Sequence, residues 1–336
     1  MRDKPDLLTH RVEIGQASFP ASLEPPDRNH MNSTIIARIT GGLGNQLFIY
    51  AAARRIAEER GARLLVDSRS AFQTDKYGAI YQLDHFAIAA EKAPLRDCFV
   101  SPSRRRRREF FKFLSKTLPA RWKPILKEAD FIARPGTTPD YRIPLRRKIW
   151  LEGYWQSARY FRPIEAEIRR ELTVISPLSE QSREIAAAIA GANAVALHVR
   201  QRRGAALAPG MPDRAVLPQL PFSYYERAIA AIAARVADPV FFCFADEPGY
   251  LPPRWRFSHP IHYVSHNVGQ DLAHQDFALM AGCRHFICAN STFGWWPAFL
   301  GTAPDKIVVA PKSTGRLTWS GSPDILPDDW IALDPE

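Results

Sequence analysis

TIIARITGGLGNQLFIYAAARRIAEERGARLLVD, Thr34 to Asp67, holds the pattern that decides the fold. Thr34–Thr40 is a short run rich in β-branched residues, followed by the glycine loop Gly41–Asn45. From Gln46 to Arg60 the chain is rich in Ala, Arg, Glu and Leu, with Leu47, Tyr50, Ala51 and Ile56 near helical spacing. Gly61 ends that run, and ARLLVD supplies a second strand. Strand, glycine loop, helix and strand in this order are the opening of a doubly wound parallel sheet.

Working outward, MNSTIIARIT starts a buried strand at Met31. Residues 1–30 carry prolines and charges without periodicity, so they read as a disordered and dispensable extension. The middle of the chain is less regular. Arg104–Arg108 are an uninterrupted basic run ahead of EFFKFL, and 117–148 reads as loops with short helices. Helical spacing returns at 163–172 and 179–190. After that, ANAVALHV, PVFFCFAD, IHYV, HFICAN and KIVVAP read as strands, with FSYYERAIAAIAARV, DLAHQDFALMAGC and STFGWWPAFLG as helices between them. Strand and helix alternate again, so a second α/β domain is expected. The expected division is 31–170 and 171–336.

With 336 residues the chain suits two domains. The net charge of +10 favours an anionic partner: nucleic acid, an acidic membrane surface or a phosphorylated substrate. No run is long and apolar enough to span a bilayer, and the first ten residues lack a signal core. Cys98, Cys243, Cys283 and Cys288 form no CxxC pair and read as reduced thiols, which places the protein in the cytoplasm.

Four stretches carry chemistry. In GGLGNQ, Gly42 and Gly44 let a ligand near the backbone while Asn45 and Gln46 open the helix, or the loop is simply a tight turn. The third glycine of a dinucleotide fingerprint is replaced by Leu47. A nicotinamide-dependent oxidoreductase using Asp67 as its ribose acid is therefore a weaker alternative. In HVRQRRG, Arg200 ends a buried strand with a fork suited to a diphosphate; His198 contacts ligand or a backbone carbonyl. In FADEP, Asp246 and Glu247 accept from the donor edge of a base such as guanine, or form a turn. In ANSTFGWW, Asn290, Ser291, Thr292 and Phe293 sit where a strand meets a helix, forming an anion site or an ordinary N-cap. Trp295 and Trp296 read as core. Together these imply a nucleoside diphosphate held between two domains. No DxD or His/carboxylate cluster offers a metal site, so arginine and helix N-termini would neutralise the phosphates. A nucleic-acid-binding protein would also explain the charge, but no binding module or basic–aromatic stripe is present.

The ordered set GGLGNQLFIYAAARRIA, EGYWQSARYF (Glu152–Phe161), HVR (198–200), FADEP (244–248), DFALMAGCRHFICANSTFGWWPAFL (276–300) and KIVVAPKSTG…PDILPDDW resembles the α-1,2-fucosyltransferases of glycosyltransferase family 11. The likeness runs from about Met31 to Trp330. It implies a GT-B-like fold, with two Rossmann-like domains facing across a cleft. It also implies a metal-independent, inverting transfer of L-fucose from GDP-L-fucose to the 2-hydroxyl of a galactoside in a cell-surface or secreted glycan. The C-terminal domain would hold the donor, with Arg200 on its phosphates, and the N-terminal domain would face the acceptor. Where the family reads HxRRxD, this chain has Gln201 for the second arginine and Arg203 for the acid. Asp213 is the candidate base. The basic run and its phenylalanines are expected to touch the acidic inner face of a membrane peripherally.

Overall fold

The computed structural model describes residues 33–75, 78–131, 139, 147–200, 219–246, 251, 255–313 and 324–336. The extension 1–30 lies outside them. Two parallel sheets form the frame. The first holds β1 (Thr34–Arg38), β2 (Arg63–Asp67), β3 (Glu91–Lys92), β4 (Ile125–Leu126) and β5 (Lys148–Leu151), in the order β3-β2-β1-β5-β4. The second holds β6 (Asn193–Val199), β7 (Pro239–Ala245), β8 (Ile261–Val264), β9 (His285–Ile287), β10 (Val308–Pro311) and β11 (Ile331–Leu333), in the order β11-β10-β9-β6-β7-β8. Every strand pairing between them is parallel. Such sheets are covered on both faces, which is why the central strands read as unbroken apolar runs.

The opening unit forms as read. The 17-residue helix α1 (Leu43–Glu59) has twelve buried residues, from Leu43 through Phe48 and Tyr50 to Ala57. A helix apolar on most of its circumference must be covered on more than one side. Its second cover comes from the other half of the chain, helix α7 (Thr292–Leu300). Phe48 lies 4.6 Å from Trp295 and 4.8 Å from Trp296, and Phe161 stacks on Trp296 at 5.3 Å. Trp295 and Trp296 are fully buried, and the apolar cluster they belong to runs through both halves. The two sheets thus share one aromatic core.

Between the sheets run α3 (Glu165–Glu171) and α4 (Glu180–Ala190). Helix α3 bonds in both directions: Arg169 Nη1 donates to the Leu300 carbonyl at 2.9 Å, and Glu171 accepts from Tyr50 Oη and from Arg54 Nε. The remaining helices are α2 (Pro102–Thr117), α5 (Phe222–Ala233) and α6 (Ala273–Ala281).

The stretch 117–148, expected to be loops with short helices, contains β4 and runs into β5, and these two strands extend the first sheet beyond β1. Two strands of two and four residues among prolines leave no periodicity to read. All four cysteines are buried and free, and no described helix is long and apolar enough to cross a membrane.

Candidate functional site

Each sheet has one place where the chain reverses its direction of winding. In the first, β1 leads to β2 and β3 on one side, and β5 returns to β1 on the other. In the second, β6 leads to β7 and β8, and β9 returns to β6. Loops leaving the carboxyl ends at such a point diverge and open a crevice, the usual ligand site of open α/β sheets. Here the four carboxyl-end segments are Gly41–Asn45 after β1, Glu152–Gln156 after β5, Arg200 at the end of β6 and Asn290–Ser291 after β9. Their carboxyl edges face each other and touch.

The contact is a polar clasp. Asn45 Oδ1 accepts from Gln156 Nε2 at 2.8 Å and from Thr292 Oγ1 at 3.1 Å, joining three of the four segments. Trp296 Nε1 donates to the Gly44 carbonyl at 2.9 Å. A Cβ on Gly44 would stand 2.4 Å from the Thr292 carbonyl carbon. This glycine therefore admits the backbone of α7, where the sequence suggested a ligand. Gly41 is at φ +76°, a conformation that favours glycine. Gly42 differs from both. Its φ is −67°, and a Cβ there would meet nothing within 4 Å. It caps α1 without a side chain, so no side-chain hydrogen bond covers the first N–H groups of that helix.

Gln46 was also expected at the ligand. It is instead fully buried: Nε2 donates to the Gly41 and Ile80 carbonyls at 2.8 and 2.7 Å, and Oε1 accepts from the Gln82 N–H at 2.9 Å. It holds the loop in shape from behind. Asp67 has a similar role. It is fully buried, and its Oδ1 accepts from the N–H groups of Arg69 and Ser70. An acid closing its own turn is poorly placed to read a ribose, which weakens the nicotinamide alternative.

On the opposite edge, β6 and β7 pair in register with His198 beside Phe244 and Val199 beside Ala245. The next residues, Arg200 and Asp246, therefore come together, with Nε 3.7 Å from Oδ2 and each side chain a little over a quarter exposed. Two stretches that read as separate sites form one. His198 lies beneath the first turn of α7, where a Cβ on Gly294 would be 2.4 Å from its Nδ1. That nitrogen is buried without a hydrogen-bond partner. Burial, and then the neighbouring Arg200 charge, push the imidazole down to about 3, so it is neutral near pH 7.

Ser291 Oγ accepts from the Phe293 N–H at 3.3 Å and is thus an N-cap. With the Thr292 hydroxyl in the clasp, what α7 presents to the crevice is its first turn and dipole. Asn290 is half-buried, and its amide has no partner among the described residues. Phe293 is half-buried 5.6 Å from the His198 ring. Asp213 and Glu247 lie outside the described residues.

Gln156, within EGYWQSARYF, is a further member of the site that no spacing in the sequence singles out. Its Oε1 is buried without a partner, and its neighbour Trp155 is held at φ +54°, which is strained for a bulky residue. Near this loop, Glu152 takes both branches of Arg108, at 2.6 and 2.8 Å. Burial, and then Arg108, lower the Arg38 guanidinium from its ordinary value. A separate depression of about 320 Å³ involves Arg63, Glu91, Asp97 and Lys148 at the amino end of the first sheet. Arg63 pairs with Glu91 and Lys148 with Asp97 there, and the depression faces away from the crevice. Among the described residues no three His, Cys, Asp or Glu side chains gather to share a metal ion.

Two parallel sheets joined carboxyl edge to carboxyl edge, with an arginine and two helix N-termini at the seam, form a GT-B-like architecture. The chain belongs to Glycosyl transferase family 11, whose family model matches residues 34–333. It is 25% identical over 306 residues to an alpha-1,2-colitosyltransferase of Escherichia coli, covering 90% of this chain and 99% of that one. It is 29% identical over 191 residues to galactoside alpha-(1,2)-fucosyltransferase 1 of Rattus norvegicus, covering 51% and 50%. Among solved structures, the fucosyltransferase NodZ from Bradyrhizobium matches with a TM-score of 0.43 and 18% identity, covering 80% of this chain and 92% of that one.

Proposed function

We propose that the protein transfers L-fucose from GDP-L-fucose to the 2-hydroxyl of a galactose unit in a glycan, inverting the anomeric carbon without a metal ion. The observation that carries this reading is the meeting of both switch points at Arg200 and the first turn of α7. Breaking the sugar C1–O bond leaves charge on the diphosphate. A forked cation fixed at a strand end, beside a helix N-terminus, binds that charge more tightly as it develops. Asp246 steadies the Arg200 fork, and the open space beside Gly42 and the N-terminus of α1 forms the other wall. In this reading Asp213 takes the proton of the acceptor hydroxyl.

A second donor is favoured by one finding: a relative matched along 99% of its length is named an alpha-1,2-colitosyltransferase. The test supplies GDP-fucose and GDP-colitose separately with a panel of galactosides, with and without EDTA, and reads linkage and anomeric configuration by NMR. An α-1,2-fucosyl product formed in EDTA is expected. Turnover of GDP-colitose alone would replace the donor, and complete loss in EDTA would sink the metal-free reaction.

A further inference from the structure

Helix α2 is built inside out for a helix bathed in water. Arg104, Arg108, Phe111 and Ser115 lie on one helical line and face the protein: Arg108 bonds Glu152, Phe111 packs 5.5 Å from Trp150, and Ser115 Oγ accepts from the Ile125 N–H. The opposite line is Arg106, Phe110, Phe113 and Thr117. Phe110 is 57% exposed and Phe113 63%, and Trp122 in the next turn of chain is 56% exposed. Phe110 and Phe113 stand one turn apart on the exposed face, and exposed apolar side chains grouped in this way mark a partner.

The charge around them identifies that partner. Between Arg104 and Lys123 the chain carries Arg104, Arg105, Arg106, Arg107, Arg108, Lys112, Lys116, Arg121 and Lys123 against a single acid, Glu109. Arg105 and Arg107 are tied by hydrogen bonds to Gln73 and the Arg96 carbonyl, and Lys112 and Lys123 pair with acids. Among the described residues no carboxylate pairs with Arg104, Arg106, Lys116 or Arg121, and Arg121 lies over the Trp122 ring at 5.8 Å. We infer that this face docks on an anionic lipid bilayer, with Phe110, Phe113 and Trp122 entering the headgroup boundary and Arg106, Lys116 and Arg121 on the lipid phosphates. Aromatic side chains flanked by cations suit the boundary between lipid headgroups and acyl chains. Arg108 ties the same helix to Glu152 beside the clasp, so docking holds the first sheet's wall of the crevice close to the lipid surface.

The test is co-sedimentation of the full chain with phosphatidylcholine vesicles, with and without phosphatidylglycerol, at low and high salt. Binding at least about tenfold tighter to the anionic vesicles, and lost in high salt, is expected. Joint Phe110→Ser and Phe113→Ser changes should weaken it a further ~10-fold or more. Both residues are exposed, so circular dichroism and turnover of a soluble acceptor should be unchanged, which separates this result from the fate of the proposed reaction. Arg106→Glu should flatten the salt dependence. Equal binding to neutral and anionic vesicles would overturn the inference, as would wild-type binding by the double variant. Tighter binding to RNA that ignores the two phenylalanines would replace the membrane by a nucleic acid.

Discussion

The junction after β1 and the junction after β9 are built on the same plan: a strand ends, the chain turns, and a helix starts at the crevice; the end of β6 lies beside the second. In the first, Gly41 supplies a positive φ, Gly44 gives way to the backbone of α7, Gln46 bonds three backbone groups, and Asn45 joins the clasp. Only Gly42 faces open space. In the second, Arg200 and Asp246 bring charge to the edge, His198 is kept neutral beneath it, and α7 presents its N-terminus. The glycine-rich loop is thus chiefly a joint between the halves, while the opposite edge carries the charge. The largest effect should therefore come from Arg200. Arg200→Ala loses a preorganised transition-state donor, a change typically costing ~2.7–4 kcal/mol, or roughly 10²–10³ in rate. Arg200→Lys keeps the charge but loses the fork and should also be impaired. Turnover of both variants at matched circular dichroism decides it, and wild-type rates in Arg200→Ala would remove the chemistry from this edge.

The first junction predicts a contrast between two neighbouring glycines. Gly44→Ala forces a methyl group against the Thr292 backbone, where nothing flexible can yield, and overpacking of this kind costs ~1–3 kcal/mol. Its denaturation midpoint should fall, and activity with it as the seam opens. Gly42→Ala fits its φ and meets no atom, so the midpoint should move by less than ~1 kcal/mol. If the space beside Gly42 holds substrate, turnover should fall nonetheless. A Gly42→Ala protein with full stability and full activity would show that the whole loop is structural.

How much of this was legible follows from the range of each signal. The unit from Thr34 to Asp67 and the alternation after Ala192 are local patterns, and they gave both sheets except for the short β3, β4 and β5 and the last strand, β11. The N-capping of Ser291 and the burial of Trp295 and Trp296 were readable from neighbouring residues. The pairing of Arg200 with Asp246 depends on the β6–β7 register, and the bond from Thr292 to Asn45 spans 247 residues, so neither leaves a trace in spacing. Gln46 was misplaced for the same reason: its partners Ile80 and Gln82 arrive from a distant loop. Arg104–Arg108 read as a uniform basic run, but helical geometry sends Arg108 inward to Glu152 and leaves Arg106 outside.

The smallest expected effect tests whether the charged junction is also the acid-sensitive one. His198 is neutral in the folded protein down to about pH 3, whereas an unfolded histidine takes up a proton near pH 6.5. The sign follows: below pH 6.5 the unfolded state binds more protons, so stability falls with falling pH, by up to ~1.4 kcal/mol per pH unit from this group. The loss should be absent above pH 7, appear between pH 6.5 and 5, and continue until the folded imidazole itself titrates. Other groups contribute to the total, so the informative quantity is the difference in slope between wild type and His198→Gln, measured by urea unfolding at several pH values. Gln has no proton to gain, and its variant should lose stability more slowly across that window even if it starts from a lower value at pH 7.5. Parallel slopes would mean that His198 takes up its proton equally in both states. The imidazole would then be reached by water, and the seal that α7 and Gly294 form over it would have to be more open than the packing indicates.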